Sequence, residues 1–83
     1  MNACIITFRS VTPAQRGEGV LRQNGFVCSI QRTPRWMEEQ GCGYSLRVSD
    51  ADGVACVGIL RQNRIPFRKV YRQINGKTEE WLL

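Results

Sequence analysis

Apolar residues in this chain follow two rhythms, and the places where one gives way to the other lay out the elements. Ala3–Phe8 is short, apolar and rich in β-branched residues, which predicts a first strand. Thr12-Pro13-Ala14-Gln15 then carries helix-start chemistry, with Thr12 as N-cap, Pro13 at the first helical position and Gln15 completing a capping box. The helix is expected to run to about Asn24 and to stop on Gly25, which tolerates the left-handed conformation. Gly17 and Gly19 each cost about 1 kcal/mol of helix propensity, a loss that close approach to the sheet would explain. Phe26, Cys28 and Ile30 alternate with Val27, Ser29 and Gln31 through Phe26–Arg32, a second strand. Thr33–Gly43 is a longer connection, and Tyr44, Leu46 and Val48 alternate with Ser45 and Arg47 as a third strand. Ser49-Asp50-Ala51-Asp52 opens a second helix ending near Asn63, and Arg68–Ile74 is the fourth strand. Asn75-Gly76 reads as a stop, so residues 1–76 form one domain and 77–83 a polar-to-apolar tail.

The same unit is written twice. Gly19-Val-Leu-Arg-Gln-Asn24 returns thirty-nine residues later as Gly58-Ile-Leu-Arg-Gln-Asn63, Ser10 aligns with Ser49, and Phe26 with Ile65. Two equivalent strand-helix-strand halves predict an α+β fold, a ferredoxin-like βαββαβ sandwich. Its antiparallel sheet is expected in the order 4-1-3-2, with both helices on one face. The other face would then stand open, for a second copy of the chain or the Trp81-Leu82-Leu83 tail to cover.

Composition narrows the chemistry. A chain of 83 residues buries only roughly 60–65% of its unfolded surface, so its core is thin. The net charge is +5, and ten of the twelve cations are Arg, a side chain suited to bidentate recognition of phosphate or carboxylate. The chain has no His, which excludes Ser-His-Asp and Cys-His catalysis and a His-ligated zinc. Its four cysteines include no C-x-x-C pair, so neither a metal nor another cofactor is implied. No secretory leader pattern and no membrane-length apolar run is present, and in a reducing cytoplasm an even cysteine count does not imply disulfides. The expected setting is cytoplasmic and soluble.

One thiol stands apart. Antiparallel neighbours one and three bring the end of the first strand beside the start of the third. Arg9, Ser10 and Thr12 should therefore meet the loop that delivers Cys42, together with Pro34-Arg35 and with Arg64-Ile65-Pro66. A free Cys near pKa ~8.5 is only about 3% ionised at pH 7, and lowering that pKa by about two units gives roughly 75% thiolate. Arginines and a helix N-terminus supply such a shift. Gly41 and Gly43 would leave the sulfur open, in a setting suited to holding sulfur or selenium as a persulfide or selenosulfide. Cys4, Cys28 and Cys56 fall inside predicted elements and read as packing residues.

Thr7-Phe8-x-Ser10, Ala14 and Glu18 ahead of Leu21, Pro34-Arg35, and Cys42-Gly43 followed by Leu46-Arg47-Val48 carry a resemblance. In order and spacing, over about residues 4–73, the chain resembles the selenium/sulfur carrier protein-like family, small bacterial domains of unknown function. The resemblance implies Cys42 as the carrier thiol with Ser10 and Pro34-Arg35 beside it, and protein partners that donate and accept sulfur or selenium. Here the stretch before Cys42 also holds Trp36 and Glu38-Glu39, whose negative charge opposes the arginines. Two other readings compete with a carrier or thiol-based adaptor. A non-catalytic interaction or ligand-sensing domain needs only the open face and a homo-oligomer. RNA binding has the positive charge, but Tyr44 lacks a second stacking aromatic, so nucleic acid is disfavoured. An independent enzyme is least supported, because the chain shows no recognisable carboxylate pair and no Gly-rich phosphate loop.

Overall fold

The computed structural model describes residues 2–34 and 43–82. Its elements run β1 (Ala3–Phe8), α1 (Val11–Gln23), β2 (Cys28–Arg32), β3 (Tyr44–Ser49), a 3-10 turn (Asp50–Asp52), α2 (Gly53–Gln62), β4 (Val70–Ile74) and β5 (Lys77–Glu80). This is a small α+β fold in which two helices pack on an antiparallel sheet ordered β2-β3-β1-β4-β5. β1 is central, pairing from Ala3↔Ser49 to Phe8↔Tyr44 on one side and from Ala3↔Gln73 to Ile6↔Val70 on the other.

The expected four-strand order 4-1-3-2 does not describe this sheet, because a fifth strand extends it. Asn75 and Gly76 take positive φ of 51° and 82°, the geometry of a two-residue hairpin turn. Lys77–Glu80 returns along β4 in the register Tyr71↔Glu80 to Ile74↔Lys77. What reads as a stop and the start of a tail is thus a hairpin. Asn2 helps hold it, its Oδ1 accepting the Asn75 N–H at 3.2 Å.

The core lies between sheet and helices. Cys4, Ile6 and Phe8 of β1, with Leu46 and Val48 of β3, meet Ala14 and Leu21 of α1 and Val57 and Leu60 of α2. Gly17 lies where α1 comes close to the sheet and to α2: a Cβ there would meet Leu60 Cδ2 at 3.1 Å and Leu46 Cδ1 at 3.2 Å, whereas at Gly19 it would meet nothing within 4 Å. The expected close packing therefore belongs to Gly17 alone. Trp81 packs against the helix side of the sheet, so the C-terminal segment does not cover the opposite face. That opposite face is closed along β1 all the same. Ala3, Ile5 and Thr7 are at most 5% exposed, Ser45 is fully buried, and Arg47 Nη1 donates to Gln73 Oε1 at 2.9 Å across the strand. Along β1 that face leaves little apolar surface exposed.

Helix α1 starts earlier than expected, with Ser10 and not Thr12 at the N-cap position. The first helical N–H groups have no intrahelical partner, so Pro13 sits as well in the third helical position as in the first. Before α2, Asp50 caps no helix. Its carboxylate instead accepts two bonds from Arg72, at 3.0 and 3.1 Å, and the guanidinium holds its pKa below the usual carboxylate value.

Candidate functional site

One end of the sheet gathers the candidate residues. The pair Phe8↔Tyr44 ends the β1–β3 ladder, so Arg9 and Gly43 follow from neighbouring strand ends. Thr33 N–H donates to the Gly43 carbonyl at 3.0 Å, tying the exit of β2 to the entry of β3. On the other side of β1, Thr7 N–H donates to the Lys69 carbonyl at 2.9 Å and Arg68 N–H to the Thr7 carbonyl at 2.7 Å. Thr7 Oγ1 adds two bonds, accepting from Lys69 N–H at 3.0 Å and donating to the Lys69 carbonyl at 3.2 Å. The chain ahead of β4 is therefore locked to the end of β1 before the strand begins.

These bonds frame a surface cleft of about 580 Å³ between the start of α1 and that segment. Arg9, Ser10, Phe67 and Arg68 line it, with Pro13, Pro66 and Lys69. Two expected site residues, Arg9 and Ser10, belong to this cleft. Thr12 is exposed and outside its lining, Pro34 is half-buried after β2, and Gly43 is buried. Arg64 does not reach the lining; it ends α2 at φ 56°, and Arg68 takes its place. Cys42, Arg35 and Gly41 lie outside the described residues. Sequence reasoning missed Phe67, Arg68 and Lys69 as lining. It counted Arg68 into the strand, although an aromatic and two cations directly after a proline are a signal of their own.

Among the described residues the cleft lining holds three cations, Arg9, Arg68 and Lys69, and no acidic side chain. Arg9 is exposed, α1 has no acidic residue in its first turn, and Lys69 meets Glu80 at 3.8 Å. Nearby, the Oγ1 of Thr33 and the Oγ of Ser45 are buried with no hydrogen-bond partner among the described residues. Tyr44, the aromatic that RNA binding would need free, packs against the core with the Arg32 guanidinium 5.6 Å from its ring centre.

The three described cysteines, Cys4, Cys28 and Cys56, are free thiols, and all are buried. Burial is the largest influence on each. It pushes Cys4 up to about 11 and Cys56 up to about 12, with Asp50 and Asp52 adding to the respective rises. Cys28 is raised by burial and by Glu18, against the pull of Arg22. A thiol that holds its proton is a poor nucleophile, so these three serve packing. Among the described residues no group of three or more His, Cys, Asp or Glu is placed to hold a metal ion, and no helix is long and apolar enough to cross a membrane.

A search of curated proteins finds no match to the chain. A family model does match, over residues 3–72, and its description is "Putative Se/S carrier protein-like". With nearly the whole β1-to-β4 unit covered, the chain belongs to that family.

Proposed function

We propose that the chain carries sulfur or selenium on Cys42, as a persulfide or selenosulfide, between a protein donor and a protein acceptor in the cytoplasm. The observation that carries this reading is an elimination: the other three cysteines are buried, proton-retaining thiols. The family supports it, as does the cationic cleft at the sheet end from which Gly43 leads back to Cys42. Arg9, Ser10, Pro34, Arg35 and the glycines at 41 and 43 are the residues we assign around the thiol. In the transfer step the Cys42 thiolate attacks the outer sulfur of a donor persulfide. An Sγ–S bond forms, the donor's S–S bond breaks, and the electron pair leaves with the donor thiolate. Delivery repeats this exchange with the acceptor's thiolate as attacker, so no net oxidant is needed. The β-α-β-β-α-β order is the ferredoxin-like arrangement, here with β5 appended.

Intact mass spectrometry after incubation with a protein persulfide donor tests the reading. The wild type should gain the mass of one sulfur atom, reversibly under dithiothreitol, and Cys42→Ser should gain none. A gain that survives the substitution would move the site to another thiol. No gain in either protein would favour a ligand-binding domain.

A further inference from the structure

Asn-Gly occurs twice in this chain, as Asn24-Gly25 and as Asn75-Gly76. The dipeptide carries a reaction of its own. The backbone nitrogen of the glycine attacks the side-chain carbonyl carbon of the asparagine, a five-membered succinimide closes, and ammonia leaves. Water then opens the ring to aspartate, or to isoaspartate, in which the main chain runs through the side-chain carbon. The balance is one water consumed and one ammonia released, with no oxidant or reductant. Glycine in the second place favours closure, because no side chain crowds its nitrogen. Both pairs are exposed, so water reaches each alike. What separates them is how their reacting groups are held.

At the end of α1 both groups are tied. Asn24 Nδ2 donates to the Val20 carbonyl at 2.8 Å, and Gly25 N–H donates to the Arg22 carbonyl at 3.0 Å. Phe26 N–H, bonded to the Leu21 carbonyl at 3.0 Å, holds the next peptide as well. Closing a ring there requires breaking these bonds and fraying the helix end. In the hairpin between β4 and β5, neither the Asn75 side-chain amide nor the Gly76 N–H has a hydrogen-bond partner among the described residues. Asn2 Oδ1 accepts the Asn75 backbone N–H at 3.2 Å, a bond that engages neither reacting group.

We propose that Asn75 is a site of spontaneous deamidation, that Asn24 is protected from it, and that the isoaspartyl product at position 75 unlatches β5. The extra main-chain atom of that product falls within a two-residue turn, at φ 51° and 82°, whose geometry has no room for it. The ladder from Ile74↔Lys77 to Tyr71↔Glu80 then loses its register, and with it goes the Trp81 N–H bond to the Val70 carbonyl. The aspartyl product keeps the normal chain length, and aspartate suits the same turn. The inference goes beyond the carrier reading and does not involve Cys42.

Peptide mass spectrometry of the full chain, kept reduced and incubated at mildly alkaline pH, tests it, with the chain in concentrated urea as reference. Trypsin separates the two sites into peptides 23–32 and 73–77. In the folded protein, 73–77 should gain the asparagine-to-aspartate mass difference about tenfold faster than 23–32, the factor expected from the two hydrogen bonds that hold Asn24 and Gly25. In urea the two rates should converge. Asn75→Gly, which keeps the positive φ of the turn, should abolish the fast reaction. Amide exchange over 77–81 should quicken in the isolated isoaspartyl form and stay as in the unmodified chain in Asn75→Asp. A ratio of rates in the folded protein no larger than in urea would overturn the assignment of the site. Exchange over 77–81 as slow in the isoaspartyl form as in the unmodified chain would overturn the release of β5.

Discussion

Gly25 and Arg64 occupy the same structural position with different side chains. Each follows a helix in the left-handed region, at φ 85° and 56°. The two closures are near copies: Gly25 N–H reaches the Arg22 carbonyl at 3.0 Å and Arg64 N–H the Arg61 carbonyl at 3.1 Å. Phe26 and Ile65 then bond back to Leu21 and Leu60, each at 3.0 Å. Asn24 and Asn63 donate side-chain bonds to Val20 and Ile59 at 2.8 and 2.9 Å. In this conformation a Cβ meets the following carbonyl and costs roughly 1–2 kcal/mol, which glycine avoids. Arg64→Gly should therefore raise stability by about 1 kcal/mol after the entropy of the new glycine is counted, and Gly25→Ala should lower it by about the same. Urea denaturation of the two variants checks both signs. The repeat made the helices and their ends legible from residues alone, while the conformational penalty at Arg64 could be found only with the backbone in view.

At the scale of elements, the junction of α2, β1 and β5 is the tightest. A Cβ on Gly53 would lie 2.7 Å from Trp81 Cζ3 and 3.0 Å from Cys4 Sγ. Gly53→Ala should cost about 1–3 kcal/mol through overpacking. In a Trp81→Ala background that cost should shrink, since one of the two obstructing groups is gone, and a double-mutant cycle by urea unfolding measures the coupling. Gly19 and Gly58, the paired glycines of the repeated string, have nothing within 4 Å of a built Cβ. Alanine at either should stabilise by about 0.5–1 kcal/mol through helix propensity alone. β5 is the element that hydrophobic patterning missed, because Lys-Thr-Glu-Glu offers no apolar position to set a period. Its signal was the Asn-Gly pair, whose backbone preference specifies a hairpin even where the returning strand is polar. Likewise the meeting of Arg9, Ser10 and Pro66 at one sheet end was legible from strand order, whereas Arg68 and Lys69 were hidden by an overlong strand.

Across the whole molecule, the buried thiols make stability depend on pH on the alkaline side. Cys4 and Cys56 titrate near 11 and 12 when folded, against 9.0 for an unperturbed thiol. The folded state keeps these protons longer than the unfolded chain, so stability is intact below about pH 9. It falls as pH rises through 11 and 12, by up to about 1.4 kcal/mol per pH unit for each thiol. The chain has no histidine to add a transition near neutrality. Urea midpoints should accordingly drop above pH 9, with Cys4→Ala and Cys56→Ala each flattening the drop. A pH profile unchanged by either substitution would assign the loss to other groups.

The outermost strand on the β4 side has a further consequence. Lys77, Glu79 and Glu80 place exposed charges along β5, an edge strand of the sheet among the described residues. An unpaired border of this kind is a template for fibril growth, and ionic side chains on a short strand are how proteins discourage it. Without the hairpin, Val70–Ile74 would form that border with valine, tyrosine and isoleucine among its five residues. The C-terminal segment thus sets a charged border where an apolar one would invite assembly strand upon strand.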